Sequence, residues 1–225
     1  MEIEAIAHIH TGFPEKFGIP RQSGLVEEAE GRIVFVPKYR QPDALRGIRE
    51  YDYLWLIWDF SENHRTEWCA TVAPPRLGGR ERVGVFASRS PFRPNPLGLS
   101  CVKIREVDEE ACEITVSGVD MLDGTPIYDI KPYLPYADAH PEARGGFSDV
   151  TKEHALSIRI PAELEEKLTP EERAAVTGIL KQDPRTAFIH DEERVWGVSY
   201  GALNVRFRVR GGEAEICEIT RGGNL

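Results

Sequence analysis

Cysteine is scarce. The four in 225 residues, Cys69, Cys101, Cys112 and Cys217, form no C-x-x-C pair. That spacing excludes a zinc ribbon, argues against a disulfide framework and points to the cytoplasm. Long apolar runs are missing too. The candidate "DYLWLIWDF" is interrupted by Asp59 and is about half the roughly 18 residues of a membrane span, so no membrane role is expected. The N-terminus "MEIEAIAHIH" carries early acids and no basic n-region, which argues against a secretory signal. Positive charge is in the minority, 28 Lys and Arg against 37 Asp and Glu for a net −9, which excludes a protein coated in basic surface. There is no G-x-x-x-x-G-K-[ST], no G-x-G-x-x-G after a strand, no H-E-x-x-H and no G-x-S-x-G. P-loop, Rossmann, zinc-protease and common serine-hydrolase chemistry are therefore set aside. His8 and His10 share a strand face, but no third ligand of fixed spacing accompanies them, so no metal is expected.

What is present is mostly strand. Residues 4–10, 32–36, 53–60, 82–87, 99–107 and 112–119 are rich in β-branched and aromatic side chains, with turn chemistry between them. "VKIREVDEEACEITV" reads as a hairpin across an acidic turn. In the first half only "QPDALRGIRE" (41–50) looks helical, so β-α-β alternation is absent. The pattern predicts a mainly β fold whose sheet closes into a barrel, with 41% hydrophobic residues to fill its core.

The texture changes after residue 137. Residues 139–153, with Pro141 and Gly145-Gly146, read as a polar linker. A strand at 155–160 precedes a helix that Thr169, Pro170 and Glu172 start as a capping box with proline at its first position. Ala175, Val176, Ile179 and Leu180 give that helix an apolar stripe, and Asp183-Pro184 stops it. Strands at 194–200, 202–210 and 213–219 follow, the last two joined across Gly211-Gly212. The expected organisation is a barrel domain over 1–138, the linker, and a small α+β domain over 154–225.

Polar chemistry is concentrated in three constrained stretches, read as loops: "FGIPRQSG" (17–24), "PPRLGGRERVGVFASRSPFRPNPLGLS" (74–100) and "VDMLDGTPIYDIKPYLPY" (119–136). In the second, Pro91, Pro94 and Pro96 limit the unfolded chain's freedom and hold Arg89, Arg93 and Asn95 in fixed directions. Such preset groups bind a carboxylate, a phosphate or an adenine edge at small ordering cost. The competing reading is a rigid turn whose arginines cap nearby carbonyls. In the third, the Gly124-Thr125-Pro126 turn presents Asp123 at a strand end, and Asp120 and Asp129 stand near Lys131, Tyr133 and Tyr136. Charge is uneven as well. From Arg76 to Arg93 five arginines (76, 80, 82, 89, 93) face one acid, Glu81, and "VRFRVR" aligns Arg206, Arg208 and Arg210 on one strand face. A locally basic face on an acidic body suits a phosphate-bearing ligand, with pairing to the acids as the alternative for any one arginine.

These stretches, "FGIPRQ", "PPRLGG…GVFASRSPFRPNPLGLS" and "VDMLDGTPIYDIKPYLPY", closely resemble the TsaA-like β-barrel family over residues 4 to 138. "QDPRTAF" (182–188) and "LNVRFRVR" (203–210) resemble the C-terminal extension of its bacterial members. Characterised bacterial members are tRNA N6-methyltransferases acting on threonylcarbamoyladenosine next to the anticodon. The resemblance implies S-adenosylmethionine bound on a non-Rossmann barrel, and a homodimer. Carried onto this chain, the donor site comprises Pro20, Arg21 and Gln22, then Ser61 and Glu62, Arg89 and Leu99, and the turn of Asp120, Met121, Leu122 and Asp123. Ser61-Glu62 departs from a His-Gln pair present in some relatives, which puts the role of Glu62 in question.

For the transfer itself the protein mainly has to align nitrogen, methyl carbon and sulfur. The carbamoylated N6 is a weak nucleophile, so a carboxylate or a backbone carbonyl is expected to accept its proton, with Asp123 and Asp129 as the catalytic candidates and a structural role as the alternative for each. Arg93 or Lys131 would pair with the threonyl carboxylate. Arg93, Asn95, Lys131 and Tyr133 line the substrate side, while Arg185, Arg206 and Arg208 would meet the anticodon stem-loop backbone. The alternatives are a non-catalytic RNA- or nucleotide-binding module, and a methyltransferase for another small substrate.

Overall fold

In the computed structural model, residues 2–64, 67–77, 81–151, 155–185 and 191–222 are described. Arg80, the Gly78-Gly79 turn and residues 186–188 of the C-terminal motif lie outside the described residues.

Alternation of apolar and polar residues turns one face of each strand inward, as period-two geometry requires. Six strands use it to close a barrel: β1 (Ala7–Thr11), β2 (Glu30–Phe35), β3 (Tyr53–Asp59), β6 (Leu97–Asp108), β7 (Glu113–Ser117) and β8 (Thr125–Pro132), in the order β1-β2-β7-β6-β3-β8. Every pairing is antiparallel, and Ile9 opposite Thr125 closes the ring between β1 and β8. Ala7, Ile9, Ile33, Leu54, Leu56, Ile114, Val116 and Ile127 are fully buried inside it. Each large aliphatic side chain so placed contributes about 1.5–3 kcal/mol relative to exposure. Trp58 fills one end of the lumen. A Cβ on Gly98 would come within 2.1 Å of its ring, so β6 crosses there only with glycine.

Three local expectations differ. Residues 41–50 form 3-10 turns at Pro42–Leu45 and Ile48–Glu50, separated by Gly47 at φ 85°, a left-handed break that interrupts helix propagation. The expected strand at 82–87 shrinks to β5 (Val83–Gly84), paired with β4 (Thr71–Val72), before a 3-10 turn over Val85–Ala87. That turn forms because the Arg93 guanidinium and the Ser88 hydroxyl both take the Val85 carbonyl. The 119–136 stretch is not all loop, since it contains β8. Pro126 and Pro132 disguised it; they lie near the start and at the end of the strand, where a missing donor does least harm.

Short helices α1 (Pro135–Asp138) and α2 (Phe147–Thr151) follow the barrel. Then come β9 (Ser157–Arg159), α3 (Ala162–Glu165), α4 (Pro170–Lys181), β10 (Trp196–Tyr200), β11 (Leu203–Arg210) and β12 (Glu213–Arg221). The capping box forms as expected, with Thr169 and Glu172 exchanging side-chain and backbone bonds. The four strands make a sheet in the order β10-β11-β12-β9, with β9 parallel to β12 and the others antiparallel.

The two units meet along the β1–β2 loop. Phe13 packs edge-on against Tyr200 with ring centroids 5.3 Å apart, and Phe17 stacks on Trp196 at 6.0 Å. Gly201 donates its amide to the Gly12 carbonyl at 2.7 Å, and Ser199 donates to Glu15 at 2.7 Å. A Cβ on Gly18 would fall 2.2 Å from the Val198 side chain. The C-terminal sheet thus fixes the loop that carries Pro20, Arg21 and Gln22.

Candidate active site

The three polar stretches converge. Pro20 is buried, and Arg21 donates to the Asp183 carbonyl of the C-terminal unit at 3.3 Å. Gln22 donates its amide to the Arg21 carbonyl and accepts from Arg89. Ser23 accepts the Cys101 amide at 3.1 Å, while Gly24 donates to the Gly118 carbonyl at 2.8 Å. Gly118 holds φ at 76°, which glycine adopts without strain, and so lets the two backbones meet. The first loop is therefore stitched between β6 and the 118–123 turn.

Asp120 sits at that seam. Trp58 donates its indole N–H to Ser100 Oγ at 2.9 Å, and Ser100 donates onward to Asp120 Oδ1 at 2.6 Å. Because indole can only donate, the direction of this relay is fixed. Burial pushes the Asp120 carboxyl up to about 6, against the Ser100 hydroxyl, the Ser23 amide and the positive charge of Arg89, which all favour its ionised form. Met121 beside it is fully buried, and the Leu122 carbonyl accepts the Thr125 hydroxyl at 2.7 Å. Leu99 projects outward from β6, 56% exposed.

The arginine-proline loop divides its labour. Arg93 Nη1 donates to the carbonyls of Ser88 (2.8 Å), Ser90 (3.3 Å) and Val85 (3.4 Å), which braces the loop as the capping alternative expected. Arg89 reaches across to Gln22 instead. Asn95 is exposed, and its carbonyl takes the Leu97 amide at 2.8 Å.

The other candidate residues occupy distinct places. Asp123 Oδ1 accepts the Thr11 amide at 3.0 Å with His10 Nδ1 at 3.4 Å, so one carboxylate oxygen caps the end of β1. Asp129 pairs with Lys131 at 2.8 Å on β8. Tyr133 packs against the rings of Tyr53 and Trp55. Ser61 and Glu62 form an exposed 3-10 turn after β3, tied to the first loop by Lys16, which donates to the Glu62 carbonyl at 2.7 Å. The Phe60 amide meets the Pro96 carbonyl at 2.9 Å, bringing that turn beside the arginine-proline loop. Arg185 clamps Asp183 with two bonds, at 2.7 and 2.9 Å. Arg206 pairs with Glu218 at 3.6 Å and Arg210 with Glu193 at 2.6 Å, while the Nε of half-buried Arg208 has no hydrogen-bond partner among the described residues.

Sequence reasoning missed Ser23, Ser100 and Trp58, which orient Asp120, because serine hydroxyls and an indole in strands carry no motif. It also missed Asp59, buried at the end of β3, whose Oδ1 lies 2.7 Å from His64 Nε2. Burial and the Asp59 carboxylate push the Tyr128 hydroxyl up. A lone acid closing an apolar run was the one available signal.

A carboxylate held beside a guanidinium presents both signs of charge to a polar ligand. Comparison with known proteins gives the family. Family models described as the tRNA-methyltransferase O N-terminal domain and the TrmO C-terminal domain match residues 8–139 and 153–222. A tRNA (adenine(37)-N6)-methyltransferase of Escherichia coli is 38% identical over 96% of both chains. A putative S-adenosylmethionine-dependent methyltransferase of Pseudomonas aeruginosa is 38% identical over 91% of both. A crystal structure of TrmO from Pseudomonas aeruginosa superposes with a TM-score of 0.79 at 29% identity, covering 98% of each chain. With both of its parts matched and the barrel shared, the chain belongs to the tRNA-methyltransferase O family.

Proposed function

We propose that this protein transfers a methyl group from S-adenosylmethionine to N6 of threonylcarbamoyladenosine at position 37 of a tRNA, next to the anticodon. The observation that carries the reading is the seam where Gln22, Arg89, Ser100 and Asp120 meet in a chain of this family. The donor supplies a methyl group on a sulfonium, which brings its own leaving group. Arg89 and Asp120, opposite charges in one cradle, would hold its carboxylate and its cationic groups. Pro20, Arg21, Gln22, Leu99, Met121 and Leu122 shape the surrounding wall, with Ser61 and Glu62 at its rim.

Alignment supplies most of the acceleration. The proton leaving N6 passes to a carboxylate, Asp123 or Asp129. Because Arg93 braces its own loop, Lys131 is the cation we assign to the threonyl carboxylate. Its bond to exposed Asp129 is a surface pair, which costs little to exchange for a ligand. Asn95 and Tyr133 complete the substrate side. Arg185, Arg206 and Arg208 meet the stem-loop backbone, with Arg208 foremost because it makes no direct ion pair among the described residues, whereas Arg185 and Arg206 do. The working form is a cytoplasmic homodimer, for which exposed Leu97 and Tyr136 offer apolar area. Incubating the purified protein with labelled donor and tRNA, with and without the threonylcarbamoyl group, tests the reading by nucleoside mass analysis. N6-methylation of the modified tRNA alone is expected, and equal turnover of both tRNAs would overturn the substrate assignment.

A further inference from the structure

Outside the seam, one pair of side chains is placed against the usual rule for large rings. Trp68 is 52% exposed and Phe86 72% exposed, with ring centroids 6.2 Å apart and planes inclined by 27°. Leaving two such rings in water forfeits burial of about 150–250 Å² each. Neither sits on a loose tip. The β4–β5 pair joins their segments, Thr71 opposite Gly84 and Val72 opposite Val83, and the Val85 amide donates to the Ala70 carbonyl at 2.9 Å. Arg82 clamps Thr71 through its hydroxyl at 2.9 Å and its carbonyl at 2.6 Å. Buried Val85 anchors the turn from below, and Arg93 pins the carbonyls on both sides of Phe86. The fold thus spends a guanidinium clamp and a buried valine on keeping two rings outside.

We propose that Trp68 and Phe86 form a platform on which an unpaired base of the RNA loop, a neighbour of the methylated adenosine, stacks. The inference rests on the tRNA reading above and names a binding surface within it. Near-parallel rings offer a planar ligand a broad face, and single-stranded bases are the planar groups of an RNA loop. Charge favours the same occupant. Residues 67–93 carry five arginines against two acids, Glu67 and Glu81. Arg82 binds neutral oxygens, so no described ion pair cancels its charge toward a phosphodiester. Only Ala87 and Ser88 separate Phe86 from Arg89, so the platform adjoins the seam.

The test compares the full-length wild type with Trp68→Ala, Phe86→Ala, Phe86→Leu and Phe86→Tyr. Four measurements are made on each: affinity for the anticodon stem-loop, affinity for S-adenosylmethionine, solution mass and thermal melting. Stem-loop affinity is expected to fall at least about fivefold in both alanine variants and in Phe86→Leu, and to be retained in Phe86→Tyr. Donor affinity, mass and melting should match the wild type. Unchanged RNA affinity in the alanine variants, or full affinity in Phe86→Leu, would overturn the platform. So would a change in solution mass, which would give the rings to a second copy of the chain, and a loss of donor affinity, which would give them to the donor cradle. A wild-type protein that binds the stem-loop through these rings yet transfers no methyl would sink the enzyme reading and leave the platform standing.

Discussion

Two sets of arginines in this molecule look alike in the sequence and differ in space. Those of the barrel, Arg82, Arg89 and Arg93, bond to hydroxyl, amide and carbonyl oxygens. Those of β11 face carboxylates brought by the neighbouring strand and loop, Arg206 to Glu218 and Arg210 to Glu193. A neutral acceptor positions a guanidinium without cancelling its charge, whereas a carboxylate does both. Of the first set only Arg89 has a carboxylate, Asp120, in its field, whereas the second is a compensated strand face on which Arg208, opposite Glu215, makes no direct ion pair among the described residues. Period-two spacing reveals which side chains share a face and nothing about what stands opposite them.

The largest expected effect lies at the barrel end. Asp123→Asn or Asp129→Asn, whichever removes the proton acceptor, should lower single-turnover methylation about 100-fold or more with donor affinity intact. Normal rates in both variants would remove carboxylate catalysis from the account. Next, Arg89→Ala should weaken donor binding about tenfold or more in titration calorimetry, the cost of losing a charged hydrogen-bonding group. If Arg206→Ala weakened donor binding equally, the contrast between the two sets would be broken.

Asp120 gives a pH signature. Its folded carboxyl titrates near 6, above the ordinary 3.8, so binding of a cationic donor should weaken as pH falls through about 6 and level off above it. Asp120→Asn should abolish that dependence along with much of the affinity. The sign for stability is opposite. Because the fold disfavours the ionised form, stability from this group is lost as pH rises from about 4 through about 6. The asparagine variant should accordingly melt no lower than wild type at pH 7, and a lower melting temperature would mean the carboxylate is structural.

The smallest effects belong to β11. The Arg206→Ala, Arg208→Ala double variant should reduce the salt dependence of tRNA binding by about one or two counterions and change affinity only severalfold near physiological salt. Glu218→Gln, which uncovers Arg206, should tighten binding slightly. A larger loss there than at Arg89 would invert the comparison.

Much of this was legible beforehand. Strand alternation, the Thr169–Glu172 capping box and the Gly211-Gly212 hairpin are local, so their residues announce them. β8 was hidden because its prolines are turn signals in isolation and are tolerated only where the ladder begins and ends. Gln22, Arg89 and Asp120 stood out as polar residues in stiff loops. Their convergence depends on Gly118, Ser100 and the Cys101–Ser23 bond, contacts among residues far apart in the chain.

The sequence by itself determined the strand pattern, the closed mainly β architecture and the stiffness of the three polar stretches, since each follows from neighbours within a few residues. Only the tertiary structure decided which arginines keep their charge, which carboxyl is buried beside a guanidinium, and that the C-terminal sheet clamps the loop bearing Pro20 to Gln22. Those outcomes are set by what each side chain meets across the fold, and electrostatic free energy depends on that surrounding dielectric and partner rather than on position along the chain.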